Sequence, residues 1–399
     1  MKKINYIFFI YPFVISLLNI QVIIALFYSA NFAQLVAYSN VLLIIIGIIH
    51  NYKNIGTISK TASLWIGFYV VYYFMGLIAS VLQENYLPFI RTFVPVIYFF
   101  GFLVFLSNKK HLAVFFNVTT YFLFLTCVIL IVMDFLDFDI DKGGVDIFNQ
   151  RAQGITGDSN NSAFLSILSF IFWMIYFKTK SSKNIIFKFV VLSITIYSLI
   201  LTFSTTGFVV FIGVLVLINL KFFTPQRIVF LVPVLIGAYL ALINLSDLTS
   251  SLELRPLQQL KIDNIQNIAR FDFENVDDSG RDSLLKGLME YIYKSPILGN
   301  GVDFYTKMHS HNTLLGVWAD SGIFGFLAFM FVLITYALSS FKLPAFQRSI
   351  ALSILITFVV FMLSLQTVMN QPHLVAIFIF LGYYIDNNYV KNHNNEVKT

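Results

Sequence analysis

The segment from Leu112 to Met133, LAVFFNVTTYFLFLTCVILIVM, decides the fold class of this chain. Its 22 residues include no charged side chain. A helix needs about 20 mostly apolar residues to cross the hydrocarbon core of a bilayer, which is about 30 Å thick. The segment therefore predicts a membrane-spanning helix.

Comparable apolar segments recur along the whole chain and predict an all-α polytopic membrane protein. No small-residue cleavage site follows the first segment, so we expect it to be retained rather than removed as a signal peptide. We predict about twelve spans, near residues 5–28, 33–50, 61–82, 88–106, 112–133, 162–177, 185–202, 207–221, 227–245, 312–338, 347–366 and 372–390.

The composition excludes a soluble enzyme. Apolar residues make up 58% of the 399 residues and charged residues only 12%, whereas a soluble protein carries about twice that charged fraction. The net charge of +6 fits basic cytoplasmic loops of a membrane protein, so it does not indicate nucleic-acid binding. Cys127 is the only cysteine, which excludes disulfide scaffolds and thiolate metal clusters.

The distribution of charge orients the spans. If the N-terminus is cytoplasmic, the even-numbered loops, the span ends beside them and both tails hold 16 of the 26 Lys and Arg residues. The same regions hold only two of the 20 acidic residues, Asp386 and Glu396. Because Lys and Arg concentrate on the cytoplasmic side of membrane proteins, we predict an inner-membrane protein with both termini in the cytoplasm.

Two predicted outer loops, 134–161 and 246–311, are much longer than the other connections. We divide the chain into a membrane domain (1–245, spans 1–9), a large periplasmic loop (246–311), a second membrane domain (312–390, spans 10–12) and a cytoplasmic tail (391–399). Long ordered loops are usually functional, so the site is expected at the outer face.

The large loop contains a predicted amphipathic helix over residues 281–294. Apolar residues at 284, 285, 288, 291 and 292 form one stripe, which should rest on the spans or on the lipid interface. Arg281 occupies the first turn, where the helix dipole disfavours a cation unless a phosphate is bound beside it. Alternatively, Arg281 pairs with a neighbouring acid, Asp277, Asp278 or Asp282.

The sequence Met308-His309-Ser310-His311-Asn312 lies where the chain re-enters the membrane. Asn312 is suited to cap the tenth span, and histidine can exchange a proton near neutral pH. A zinc site would need a third ligand that the neighbouring sequence does not supply, and both histidines could also be interfacial residues without a catalytic role. Asp320, about two turns into the span, is either functional or part of a structural pair.

The first long outer loop contains three alternating acids, Asp137, Asp139 and Asp141. They do not form a calcium loop, because Lys142 stands where the sharp-turn glycine belongs and Phe148 where the closing glutamate belongs. We interpret this segment as a solvated acidic loop and predict no metal site.

Several motifs together resemble the O-antigen polymerase and O-antigen ligase family of bacterial membrane glycosyltransferases. Their order and their placement on the predicted outer face carry the resemblance, which covers roughly residues 150–325. The motifs are Arg151-x-x-Gly154 with Asp158-x-Asn160, Leu201–Gly207, Gly280-Arg281, Pro296-x-x-Gly299-x-Gly301, His311-Asn312 and Asp320-x-Gly322-x-x-Gly325.

The resemblance implies a glycosyltransferase that uses undecaprenyl-diphosphate-linked glycans and needs no metal or other cofactor. By position, Arg281 would contact the donor diphosphate, His311 would orient or deprotonate the attacking sugar hydroxyl, and Arg151 would be a second diphosphate or glycan contact. His309, Asn312 and Asp320 complete the predicted substrate-binding set. The implied partners are the lipid-linked donor and acceptor oligosaccharides, the lipid bilayer, and chain-length regulator and flippase proteins.

Three functions remain open from the sequence. We favour polymerisation of lipid-linked repeat units into O-antigen or a related surface polysaccharide. The alternative is a ligase that transfers finished glycan onto lipid A-core or onto protein. A flippase or transporter is less favoured, because such proteins often have two related halves and helices broken at the midplane, and the sequence indicates neither.

Overall fold

The fold is described from a computed structural model, which covers residues 4–82, 92–140, 144–145, 151–180, 185–220, 237, 239–240, 243–249, 254–275, 281–366 and 368–396. Most of these residues are helical, and the described part of the chain contains one antiparallel pairing of two-residue strands, β1 (Phe138–Asp139) with β2 (Gly144–Val145). The predicted all-α class is confirmed.

Fifteen α-helices are formed by the described residues. They are α1 (Tyr11–Leu17), α2 (Ile20–Phe27), α3 (Ala30–Asn51), α4 (Lys60–Leu82), α5 (Phe93–Leu106), α6 (Lys109–Phe135), α7 (Ser159–Lys180), α8 (Ile185–Leu201), α9 (Thr205–Ile218), α10 (Leu245–Thr249), α11 (Pro256–Ala269), α12 (Arg281–Lys294), α13 (Thr313–Phe341), α14 (Ala345–Met362) and α15 (Pro372–Glu396). A π-helix, Tyr6–Ile10, precedes α1, and 3-10 turns lie at Tyr52–Asn54, Gly154–Thr156, Phe273–Asn275 and Tyr305–Met308.

Six of these helices, α3, α4, α6, α7, α13 and α14, are long and apolar enough to cross a membrane. The segments Tyr6–Leu17 and Ile20–Phe27 meet at 62° and would together add a seventh span, while α5, α8 and α9 are shorter apolar helices. The chain is therefore a multi-pass membrane protein. The count of about twelve stays a prediction, since most of the predicted ninth span, 227–245, lies outside the described residues.

The last helix, α15, lies in the centre of the bundle. Every residue from Leu374 to Leu381 is buried, as expected for a helix that is covered by protein on all sides. Phe378 contacts Trp65 and Phe358 with ring centroids 5.0 and 4.8 Å apart. These aromatic contacts hold α15 against α4 and α14.

Hydrogen bonds join neighbouring segments at both ends of the bundle. At one end Asp386 accepts hydrogen bonds from Ser59 and Thr61. At the other, which we call the outer end because its loops are those predicted outside, the side chain of Asn19 donates to the Ile155 carbonyl at 2.8 Å. The Gly56 N–H also donates to the Ser107 hydroxyl at 2.9 Å, and the Gln371 amide donates to Asn161 at 3.1 Å, so loops predicted on the same side of the membrane contact one another.

Helix α13 is broken at Gly322, where φ is 67° and ψ is −170°. The sequence indicated no broken span, and that expectation is wrong for α13. A β-carbon at Gly322 would collide with the backbone carbonyl of Ile297, and the Ile323 N–H after the break donates to the Pro296 carbonyl at 2.9 Å. The chain's own loop therefore fills the break, unlike the substrate-lined breaks of transporters.

Candidate active site at the outer end of the bundle

The loop after α12 is fixed to the broken helix by its backbone. The N–H of Asn300 donates to the Ala319 carbonyl at 2.7 Å, and the N–H of Gly301 donates to the Asp320 carbonyl at 3.0 Å. Gly299 and Gly301 have φ values of +80° and +102°, and a β-carbon at Gly299 would overlap the Asp320 backbone. The paired glycines of the sequence motif thus permit a close crossing of loop and helix.

The carboxylate of Asp320 holds the next part of this loop. It is fully buried and accepts hydrogen bonds from the backbone N–H of Asp303 and of Tyr305, both at 2.9 Å. It also accepts the hydroxyl of Tyr72 from α4 at 2.7 Å. Buried charges need such partners. Asp320 therefore connects α4, α13 and the loop, and its predicted contact with substrate stays a prediction.

Tyr305 links this loop to the connection between α14 and α15. Its carbonyl accepts the Gln366 amide at 2.6 Å, and its hydroxyl accepts the Asn370 amide at 3.2 Å. Burial, with the nearby negative charges of Asp320 and Asp303, raises the pKa of the Tyr305 hydroxyl well above its ordinary value. Tyr305 therefore remains neutral and acts as a packing and hydrogen-bonding centre.

His309 and His311 follow directly, and both have left-handed backbone conformations with φ of 49° and 50°. His309 is exposed, His311 is half-buried, and Ser310 between them is buried. Positive φ is uncommon at non-glycine residues, and here it occurs at two residues separated by only one. Such conformations concentrate at functional sites, because the surrounding structure must enforce them. This backbone geometry supports a functional role for the two histidines.

Asn312 caps α13, as the sequence predicts. Its side-chain oxygen accepts the Leu315 N–H at 3.0 Å. The next residue, Thr313, donates its N–H and its hydroxyl to the Leu365 carbonyl at 3.1 and 2.6 Å. The start of α13, and with it His311, is therefore fixed against the end of α14.

Arg151 lies in the outer loop before α7 and contacts the turn between α8 and α9. Its Nε donates to the Thr202 carbonyl at 2.9 Å, and the Ala152 N–H donates to the Leu201 carbonyl at 3.1 Å. In the same turn Ser204 donates to the side chain of Asn160 at 2.7 Å. Two of the sequence motifs therefore form one hydrogen-bonded unit.

Helix α12 begins at Arg281 and ends at Lys294, the bounds predicted from the apolar stripe. Leu288 and Ile292 from this stripe are buried and pack with Tyr305 and Ala319. Part of the stripe thus rests on the protein, whereas Leu284 and Tyr291 are exposed. Arg281 stands at the helix N-terminus. The side chain of Arg281 and the residues just before it, Ser279 and Gly280, lie outside what the structure describes.

The connection between α14 and α15 joins the two halves of the site. Gln366 and Asn370 bind Tyr305, and the Gln371 amide donates to Asn161 at the start of α7 at 3.1 Å. These residues were not predicted from the sequence, although the several polar side chains within residues 364–373, between two apolar spans, were a usable signal. This connection therefore links the segment of Arg151 and Asn161 to the loop of Tyr305 and His311.

One comparison with known proteins bears on the family resemblance. A family model described as O-antigen ligase matches residues 189–330. The match contains the Ser204 turn, α12, the histidines and the broken helix, and it confirms the resemblance inferred from the motifs. A comparison with curated proteins gives no match.

Proposed function

We propose, from the O-antigen ligase match over residues 189–330, that this membrane protein polymerises undecaprenyl-diphosphate-linked oligosaccharide repeat units at the outer face of the cytoplasmic membrane. The product would be O-antigen or a related surface polysaccharide. The observation that carries the proposal is the loop of His309 and His311, which Asp320 and Asn312 fix at the outer end of the bundle.

The transfer joins an acceptor hydroxyl oxygen to the anomeric carbon of the donor glycan. The bond from that carbon to the diphosphate oxygen breaks, and its electron pair leaves with the lipid diphosphate. The hydroxyl proton passes to His311, the nearest candidate general base. Arg281 at the start of α12 and Arg151 beside the Thr202 turn would bind the diphosphate, because guanidinium groups and helix N-termini both bind phosphate oxygens.

This mechanism assigns no step to a metal. The leaving diphosphate gains one negative charge as the bond breaks, and positioned arginines can stabilise that charge in the transition state. His309, Asn312 and Asp320 are proposed to shape the acceptor side of the site. Chain-length regulator and flippase proteins are the proposed protein partners.

The alternative is a ligase that transfers completed glycan to lipid A-core or to protein, and the family match supports it equally. A deletion in the source strain separates the two functions by the band pattern of its lipopolysaccharide. Loss of a polymerase leaves single repeat units on the core, whereas loss of a ligase leaves bare core. Unchanged polymer in the deletion strain would contradict both.

A further inference from the structure

A polar cavity of about 310 Å³ lies at the outer end, behind the bend between α1 and α2. This volume falls at the lower end of the range for small-molecule sites, about 300 to 1,000 Å³. Asn19, at the bend, has a left-handed conformation and is held by its hydrogen bond to Ile155. The bend thus creates the cavity by turning α2 away from the bundle.

The lining of the cavity is uncharged: Lys, Arg, Asp and Glu do not occur among the described residues that line it. Four of these residues are apolar, namely Ile15, Leu17, Val22 and Pro372. The polar ones are neutral amides, hydroxyls and one histidine: Ser16, Asn19, Gln21, Thr156, Asn161, Asn370, Gln371 and His373. The lining offers no cationic side chain that could bind a diphosphate. A polyprenyl chain would leave the lining amides and hydroxyls without hydrogen bonds. Sugar hydroxyls, which donate and accept, match both kinds of group.

His373 supplies an independent indication of a ligand. Only 7% of its surface is exposed, and its Nδ1 lies 3.1 Å from the Ser16 hydroxyl. Within the described part of the chain its Nε2 has no hydrogen-bond partner. Buried polar atoms are nearly always hydrogen-bonded, so an unpartnered imidazole nitrogen on a residue that lines the cavity points to a missing partner.

The cavity adjoins the candidate active site through Asn370. This residue lines the cavity and donates to the Tyr305 hydroxyl, four residues before His309. Asn161 and Gln371, hydrogen-bonded to each other, form another part of the wall. A glycan whose reacting sugar is at His311 could therefore extend along this connection into the cavity.

We propose that this cavity binds a neutral sugar residue of the lipid-linked glycan, with His373 and the amides of its wall as hydrogen-bonding partners. The proposal rests on the proposed function, because that function supplies the glycan. The site would select the sugar part of the substrate, while the arginines bind the diphosphate.

The test measures the Kd of the full-length protein in nanodiscs for two probes. One is lipid-linked oligosaccharide extracted from a strain that lacks this protein, and the other is undecaprenyl diphosphate without sugar. The cavity variants are His373→Phe and Gln21→Leu, the second being a partly exposed position where a folding defect is not expected. The matched control is His111→Phe, because His111 is equally buried at 8% exposure but lies near Phe105, away from the cavity.

We expect each cavity variant to bind the oligosaccharide probe about 3- to 10-fold more weakly, the effect of one lost neutral hydrogen bond. Binding of the sugar-free lipid should not change, and His111→Phe should bind both probes as the wild type does. Unchanged oligosaccharide binding in Gln21→Leu, or an equal loss for both probes, would overturn the proposal. If the wild type binds both probes but forms no polymer and no ligated product, the proposed function fails instead.

Discussion

At the scale of single residues, His311 carries the proposed proton transfer. The change His311→Asn removes the base, and asparagine tolerates the left-handed backbone found at this position. We expect polymer formation to fall by about 10²- to 10⁴-fold, the usual cost of removing a general base, while binding of donor lipid persists. The rate of polymer formation by purified protein measures this.

The matched control for this change is His309→Asn, which alters an exposed histidine with the same backbone conformation. It should reduce the rate much less. A His309 variant that is more damaging than the His311 variant, or a His311 variant with near-normal polymer length, would contradict the assigned roles.

Arg281 is the second residue with a specific role. Lysine keeps the charge but loses the bidentate fork, so Arg281→Lys should reduce activity by about 10- to 100-fold, the cost of a charge-assisted hydrogen bond. Arg270→Lys, at an exposed arginine of the same loop, should retain activity. Equal losses in the two variants would show that the fork at Arg281 has no special function.

At the scale of elements, Asp320 should position the catalytic loop. Asp320→Asn replaces one acceptor oxygen by a donor that faces backbone N–H groups, so we expect it to reduce stability by about 2 kcal/mol and to lower activity. The matched control is Asp386→Asn, since Asp386 accepts similar hydrogen bonds at the opposite end of the bundle.

Hydrogen exchange separates positioning from general destabilisation. In Asp320→Asn the amides of residues 299–311 should exchange faster than in the wild type, whereas in Asp386→Asn the increase should be confined to the region of Ser59 and Thr61. Faster exchange over the whole chain in both variants would mean that Asp320 has only a general structural role.

At the scale of the whole molecule, the orientation in the membrane can be tested with single cysteines. In a Cys127→Ser background, Tyr293→Cys on α12 should react with an impermeant thiol reagent in spheroplasts, and Lys53→Cys should not. Both native side chains are exposed, so a difference in labelling reports on their side of the membrane. The opposite pattern would reverse the orientation and remove the site from the outer face.

The proposed mechanism uses no metal ion, and this can be tested on the complete enzyme. Polymer formation by the purified protein should continue in the presence of EDTA, because arginines rather than a metal ion stabilise the leaving diphosphate. Loss of activity on chelation, with recovery after addition of one divalent cation, would contradict this part of the proposal.

The sequence by itself determined the helical membrane class, the helix over 281–294 and the cap at Asn312. These features depend on local properties, namely apolar length, periodicity and a side chain that reaches its own backbone. Only the tertiary structure decided the break at Gly322 and the three partners of Asp320. It also brought Asn370 to Tyr305 and opened the cavity beside His373. Such contacts join residues far apart in sequence, and which polar groups meet depends on how the helices pack.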